Sequence, residues 1–151
     1  MVLSKLKFNP KDLLIGLLII SPALYFAVRA YNPPEQAAIT RDTQAQETLN
    51  IVARGLTPFF QKNSTFPVCP ETGWVECLVS AGALDFTPQV DGFIYKTNND
   101  NTEVIIYTRA ESLAWRQKCL EGTAHILYSS SLGRTDMVCG TPSPENVKFV
   151  N

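Results

Sequence analysis

Four cysteines have the clearest capacity for chemistry in this sequence. Cys69, Cys77, Cys119 and Cys139 all lie in the C-terminal part of the 151-residue chain. An even number of cysteines suits two disulfide bonds if that part is exported, and four buried free thiols are the alternative. Among the three possible pairings we favour Cys69 with Cys77, because these two enclose a short loop, and Cys119 with Cys139.

His125 is the single histidine of the sequence, and every histidine-dependent site would have to use it. A Ser-His-Asp triad or a cysteine–histidine nucleophile would need this residue, but it stands in the apolar segment AHILYSS, where a packed strand histidine is expected. No C-x-x-C pair occurs, so the usual ligand spacing of a zinc site is missing. We therefore predict no catalytic residue, no metal site and no cofactor.

Two polar clusters could bind calcium or carry a glycan, but each has a simpler interpretation. The run Asn98–Asn101 (NNDN) offers oxygen atoms to calcium, but it contains one carboxylate, so we expect an ordinary turn. The triplet Asn63-Ser64-Thr65 matches the N-glycosylation signal, which is common by chance.

The charge and motifs of the chain do not point to nucleic acid or nucleotides. The formal net charge is -1, so the composition predicts no basic surface for nucleic acid, and no glycine-rich phosphate-binding run occurs. We expect no small-molecule substrate.

An uncharged apolar run occupies residues 13–28. As a helix it would be ~24 Å long, and the residues up to Tyr31 bring it close to the ~30 Å of a bilayer core. We therefore predict a transmembrane helix over residues 13–31, after a leader-like segment of residues 1–12. The positions expected in the bilayer are Leu13, Leu14, Ile15, Leu17, Leu18, Ile19, Ile20, Pro22 and Leu24.

The lysines around this run predict its orientation. Lys5, Lys7 and Lys11 precede the run, whereas Arg29 alone follows it closely. The positive-inside rule places the N-terminus in the cytoplasm and the rest of the chain outside. Two alternatives stay open at this point: a cleaved secretory signal and a buried core helix.

An amphipathic helix is predicted next, over residues 35–62, and we call it the stalk. Ala38 and Ala45 begin an apolar stripe that continues at spacings of three and four residues. Arg41 and Asp42 interrupt the stripe near its start and weaken its upper end. Gly55 and Pro58 predict a bend or an early stop. The stalk face that needs a packing partner is Leu49, Val52, Leu56 and Phe59.

The remaining residues, 63–151, predict a small antiparallel head. Two hairpins are expected, one from residues 92–97 and 104–108, the other from 124–129 and 136–139. Four such strands can form a meander that covers the apolar face of the stalk. The predicted fold class is therefore α+β, with a long N-terminal helix (a membrane half and an amphipathic half) packed on a small sheet.

The pattern resembles the type IV pilins and the related pseudopilins of secretion systems. The stretch RDTQAQETLNIVARGLTPFFQKNSTFP looks like the second half of the pilin helix and its usual ending. The segment CLVSAGALDFTP, with Leu78, Gly82 and Leu84, looks like the lead-in to the family's sheet. The positions that match the helix ending are Phe59, Phe60, Asn63, Ser64, Phe66 and Pro67.

The leader departs from the pilin pattern. Phe8 and Asp12 have the spacing of the family's cleavage junction and acidic residue, but Lys7 occupies the position of its glycine. The departure favours a minor subunit or an unpolymerised relative over a major subunit.

The resemblance implies a non-enzymatic, single-pass membrane protein that packs against other pilin-like subunits, as a homo- or hetero-oligomer. It implies a role in a type IV pilus, a secretion pseudopilus or a DNA-uptake filament. The alternative function is that of a secreted or periplasmic ligand-binding domain with a cleaved signal peptide.

Overall fold

A computed structural model describes residues 20–22, 24–25 and 32–150. The chain divides into two units, Met1–Gln36 and Ala37–Asn151. The leader-like segment and the predicted membrane positions Leu13, Leu14, Ile15, Leu17, Leu18 and Ile19 lie outside the described residues. Ile20, Pro22 and Leu24 are helical and exposed. Within the described ranges, no helix combines the length and the apolar character needed to cross a bilayer.

The predicted stalk is a 31-residue α-helix, α1, which comprises Pro33–Asn63. The early stop that Gly55 and Pro58 suggested is wrong, because the helix continues through both residues. Pro58 is on an exposed side of the helix, where water can satisfy the carbonyl group that a proline leaves unbonded. The helix ends with Ser64 in the left-handed region, at φ 61°.

The sheet has four antiparallel strands: β1 Ile94–Thr97, β2 Val104–Arg109, β3 Ala124–Ser129 and β4 Arg134–Cys139. Their spatial order is β1-β2-β3-β4, which confirms the predicted meander. Short turns join the two outer pairs, and Gly133 takes φ 62° in the second of them. The observed fold is α+β, a long helix with a four-stranded antiparallel sheet.

The main core lies between α1 and one face of the sheet. Because successive strand residues point to opposite faces, Val104 and Ile106 enter this core while Ile105 and Tyr107 face the other side. The side chains that are fully buried or nearly so include Leu49, Val52, Leu56, Leu78, Tyr95, Ile106, Ile126 and Met137.

A second, smaller cluster covers the opposite face of the sheet. Ile105, Tyr107, Leu127 and Val138 form it, and Val147 and Phe149 of the C-terminal segment pack against them. The N–H group of Val150 donates to the carbonyl of Met137 at 2.9 Å, so this segment also pairs with the free edge of β4. The sheet is therefore covered on both faces, which the sequence pattern did not indicate.

Two short helices complete the fold: α2, Trp74–Ser80, and α3, Leu113–Arg116. The indole of Trp74 stacks on Tyr95 with ring centroids 5.7 Å apart, and its N–H group donates to the carbonyl of Phe93. This contact fixes α2 against the first strand.

Candidate functional site

The apolar face of α1 is buried against the sheet of the same chain. Leu49, Val52 and Leu56 are 0% exposed, and Phe59 is half-buried against the same core. These four stalk-face residues therefore have their packing partners within the chain. A partner molecule would have to use the other side of the helix.

That other side is exposed over several turns. Its residues follow each other at spacings of three and four, so they form one continuous surface. Its members are Thr40, Gln44, Glu47, Ile51, Arg54, Pro58 and Gln61, and we call this surface the outer stripe. Polar groups dominate it, but Ile51 is 48% exposed at its centre.

Asp42 is the residue that sequence analysis placed least well. It is 2% exposed and occupies the missing position of the apolar stripe, between Ala38 and Ala45. Its Oδ1 accepts the N–H group of Glu111 at 2.8 Å, and its Oδ2 accepts the N–H group of Ser112 at 2.9 Å. A carboxylate that accepts two backbone hydrogen bonds is a strong, directional tie. The stripe therefore continues through Asp42, and the carboxylate fastens α1 to the chain that follows β2.

Two surface contacts support this tie. Arg41 forms an ion pair with Glu111 at 2.7 Å, and both side chains are about half exposed. An exposed pair of this kind contributes roughly 0–1 kcal/mol. Farther along the helix, Thr135 of β4 donates to Asn50 at 2.7 Å.

The two predicted disulfides are present, and their pairing is confirmed. Cys69 is bonded to Cys77, and Cys119 is bonded to Cys139. The second bond fastens the chain before β3 to the end of β4. Each can stabilise the fold by roughly 2–4 kcal/mol, because it restricts the unfolded chain.

His125 has the packed strand position that was expected. Burial lowers its pKa from the ordinary value, the carbonyls of Gly140 and Thr123 oppose this shift, and the charge of Arg109 adds to it. Its ring meets Tyr107 edge-on, with centroids 5.4 Å apart. In the described part of the chain, no three histidine, cysteine or acidic residues are grouped so that they could hold a metal.

The cluster Asn98–Asn101 is an ordinary turn, as predicted. Asn98 Oδ1 accepts the N–H groups of Thr102 and Glu103, at 2.9 and 3.0 Å. Asn101 Oδ1 accepts the hydroxyl of Thr97 at 3.0 Å. These amide oxygens therefore serve the turn itself.

A groove of about 550 Å³ lies between α1, the residues before β1 and the end of β2. Charges of both signs line it: the acidic residues Asp42, Glu47, Asp91 and Glu111, and the arginines Arg41 and Arg109. This mixture shows no preference for one class of ligand.

Comparison with known proteins gives no match. No protein-family model fits the chain, and neither curated proteins nor solved structures show a match to it. The pilin-like resemblance therefore rests on the sequence pattern alone.

Proposed function

We propose that the chain is a non-enzymatic, pilin-like subunit that residues 13–31 anchor in a membrane, with its disulfide-bonded head exported. One observation carries the proposal: α1 buries one face against its own sheet and leaves the outer stripe exposed. In sequence, this helix follows directly after an apolar run. A subunit that assembles through its helix needs this division, because one face must hold the head and the other must meet neighbours.

The outer stripe is the surface that we assign to those neighbours. Glu47 and Arg54 have opposite charges on the same side of the helix, and Ile51 lies between them. Related chains can therefore meet through ion pairs around an apolar contact. We propose a minor subunit of a pilus, pseudopilus or DNA-uptake filament, in which the contacts are made with other pilin-like chains.

The disulfides support export, because such bonds persist in oxidising compartments. They suit a secreted domain equally well, and the 550 Å³ groove is the feature that favours this rival, a secreted or periplasmic ligand-binding domain. The two proposals differ in the fate of the apolar run: an anchor retains it, and a secretory signal loses it.

Intact-mass measurement of the chain from fractionated cells tests the proposal. We expect the protein in the membrane fraction, either with its full mass or starting at Phe8 if a leader peptidase processes it. A chain that starts near Tyr31 and is free of membranes would overturn the anchor and favour the secreted domain.

A matched variant controls for adsorption to membranes. Leu18→Arg places a charge in the apolar run and costs about 2.5–3.5 kcal/mol of insertion free energy at a helix centre. The variant is expected to lose membrane association, whereas Leu18→Ile keeps it. Equal behaviour of both variants would contradict the anchor.

A further inference from the structure

A small cleft lies beside the connection between β2 and β3, residues 110–123. Its volume is about 310 Å³, and two arginines line it: Arg109 at the end of β2 and Arg116 in α3. The other lining residues are uncharged: Leu113, Gln117, Gly122, Thr123 and Ala124. The cleft thus combines two positive charges with no acidic lining residue.

Neither of these guanidinium groups is neutralised by a carboxylate within 4.0 Å among the residues that the structure describes. Glu111, two residues beyond Arg109, is engaged with Arg41. Glu121 is exposed and does not line the cleft. The nearby carboxylates in sequence are therefore either committed elsewhere or outside the cleft.

The walls of the cleft are fixed at both ends. At one end, Asp42 holds the N–H groups of Glu111 and Ser112. At the other, the N–H group of Gly140 donates to the carbonyl of Thr123 at 2.9 Å, beside the Cys119–Cys139 disulfide. Such fixed backbones lower the entropy cost of holding two arginines near one ligand.

The wall of the cleft also depends on a close approach between the backbones of Gly122 and Gly140. A Cβ atom on Gly122 would lie 3.1 Å from the Cα of Gly140, and Gly122 has φ 86°. The absence of a side chain therefore lets the cleft wall press against the end of β4.

We propose that this cleft binds a doubly charged oxyanion, such as a phosphate monoester group, through Arg109 and Arg116. A guanidinium group offers parallel N–H donors that match two oxygens of such an anion. Two guanidinium groups balance two negative charges, whereas a single carboxylate would neutralise only one. A free phosphorylated molecule and a lipid phosphate share this chemistry. The inference does not depend on the proposed membrane function.

NMR titration of the full chain in detergent micelles tests the site. Inorganic phosphate is added at constant ionic strength, and the Nε–H signals of the arginines and the amide signals of residues 122–124 are followed. We expect saturable shifts at Arg109 and Arg116. Chloride in place of phosphate controls for general screening.

Three variants make the test specific. Arg109→Gln or Arg116→Gln is expected to weaken binding roughly tenfold, since each removes charge-assisted hydrogen bonds, and the double variant should show no saturation. Arg116→Lys keeps the charge but loses the paired donors, so binding should be intermediate. Lys62→Gln removes one positive charge from an exposed position in the last turn of α1; it is the control and should bind like the parent.

Nanodiscs distinguish the two sources of the phosphate group. If phosphatidic acid shifts the Arg109 and Arg116 signals but inorganic phosphate does not saturate them, the ligand is a lipid headgroup. If saturable phosphate shifts occur without the lipid, the ligand is a free phosphorylated molecule. The proposal would be overturned if neither phosphate nor phosphatidic acid gave saturable shifts. It would also be overturned if the double variant showed the same shifts as the parent.

Discussion

Asp42 shows at the scale of one residue how this fold joins its helix to its sheet. Apolar periodicity counts only apolar side chains, so in sequence a carboxylate interrupts the stripe. Its position, four residues after Ala38 and three before Ala45, was the available signal. A buried carboxylate is stable there because two backbone N–H groups replace the water that it loses.

Asp42→Ala should therefore destabilise the protein by about 2–4 kcal/mol, because it leaves the N–H groups of Glu111 and Ser112 without their acceptors. Asp42→Asn keeps one acceptor and should cost roughly half as much. The free energy of unfolding in urea measures both effects. Glu47→Ala, on the exposed side of the same helix, is the control and should change stability by less than about 0.5 kcal/mol. Equal costs at both positions would contradict the role of Asp42.

His125 is expected to make stability depend on pH. Burial lowers its pKa in the folded state below the ordinary value of 6.5, so the unfolded chain takes up its proton first as the pH falls. The contribution of neutral His125 to stability is therefore complete at pH values above 6.5. It is lost as the pH falls from 6.5 toward the pKa of the folded state.

His125→Gln removes this titration. The stability difference between the parent and the variant should shrink as the pH is lowered from about 7.5 to about 5.5, a window around the ordinary histidine pKa. Thermal unfolding of both proteins in the same buffers measures it, and the carboxylates cancel in the comparison. A difference that stays constant over this window would show that the histidine remains equally easy to protonate in the folded state.

At the scale of the elements, the connection between β2 and β3 depends on a close backbone contact between Gly122 and Gly140. Gly122→Ala has two costs: strain at φ 86° and a clash with the backbone of Gly140. Gly140→Ala at the same φ meets no atom within 4 Å and has only the first cost. We expect Gly122→Ala to be the more destabilising by about 1–3 kcal/mol, the usual cost of forced overpacking. Chemical denaturation of both variants checks this, and equal stabilities would mean that the contact is not tight.

The sequence predicted α1 and the four strands well and the two short helices poorly. The stripe from Leu49 to Phe59 indicated α1, and the strand-type segments on either side of two turns indicated the four strands and their order. The helices α2 and α3 have too few residues for a periodic signal and depend on tertiary contacts, such as Trp74 on Tyr95. The C-terminal segment that covers the outer sheet face was not predicted either.

The arginine cleft was also beyond sequence reasoning, for a different reason. Arg109 ends a strand and Arg116 lies in a one-turn helix, and no periodicity relates the two positions. They line one cleft in a connection that Asp42 holds at one end and the Cys119–Cys139 bond holds at the other. The pairing of the cysteines was predictable, but its consequence for these arginines was not.

At the scale of the whole molecule, the two sides of α1 differ in what they contact. The inner side packs in the core with the sheet, and the outer stripe is the surface that we propose for neighbouring subunits. The cleft that we propose for an oxyanion shares Arg109 with the groove beside α1, whereas Arg116 lines the cleft and not that groove. Its test follows phosphate binding and not assembly, so the two proposals can succeed or fail independently.

Site-specific photo-crosslinking in cells that produce the chain tests whether the outer stripe of α1 contacts other subunits. A photoreactive amino acid replaces Glu47 or Arg54 in the outer stripe, and Asp100 in the exposed turn after β1 serves as the control. We predict that membrane fractions contain crosslinked products from the two helix positions, formed with further copies of the chain or with other pilin-like chains, and few from the turn. Uncrosslinked monomer at Glu47 and Arg54, with the chain free of membranes, would contradict the account.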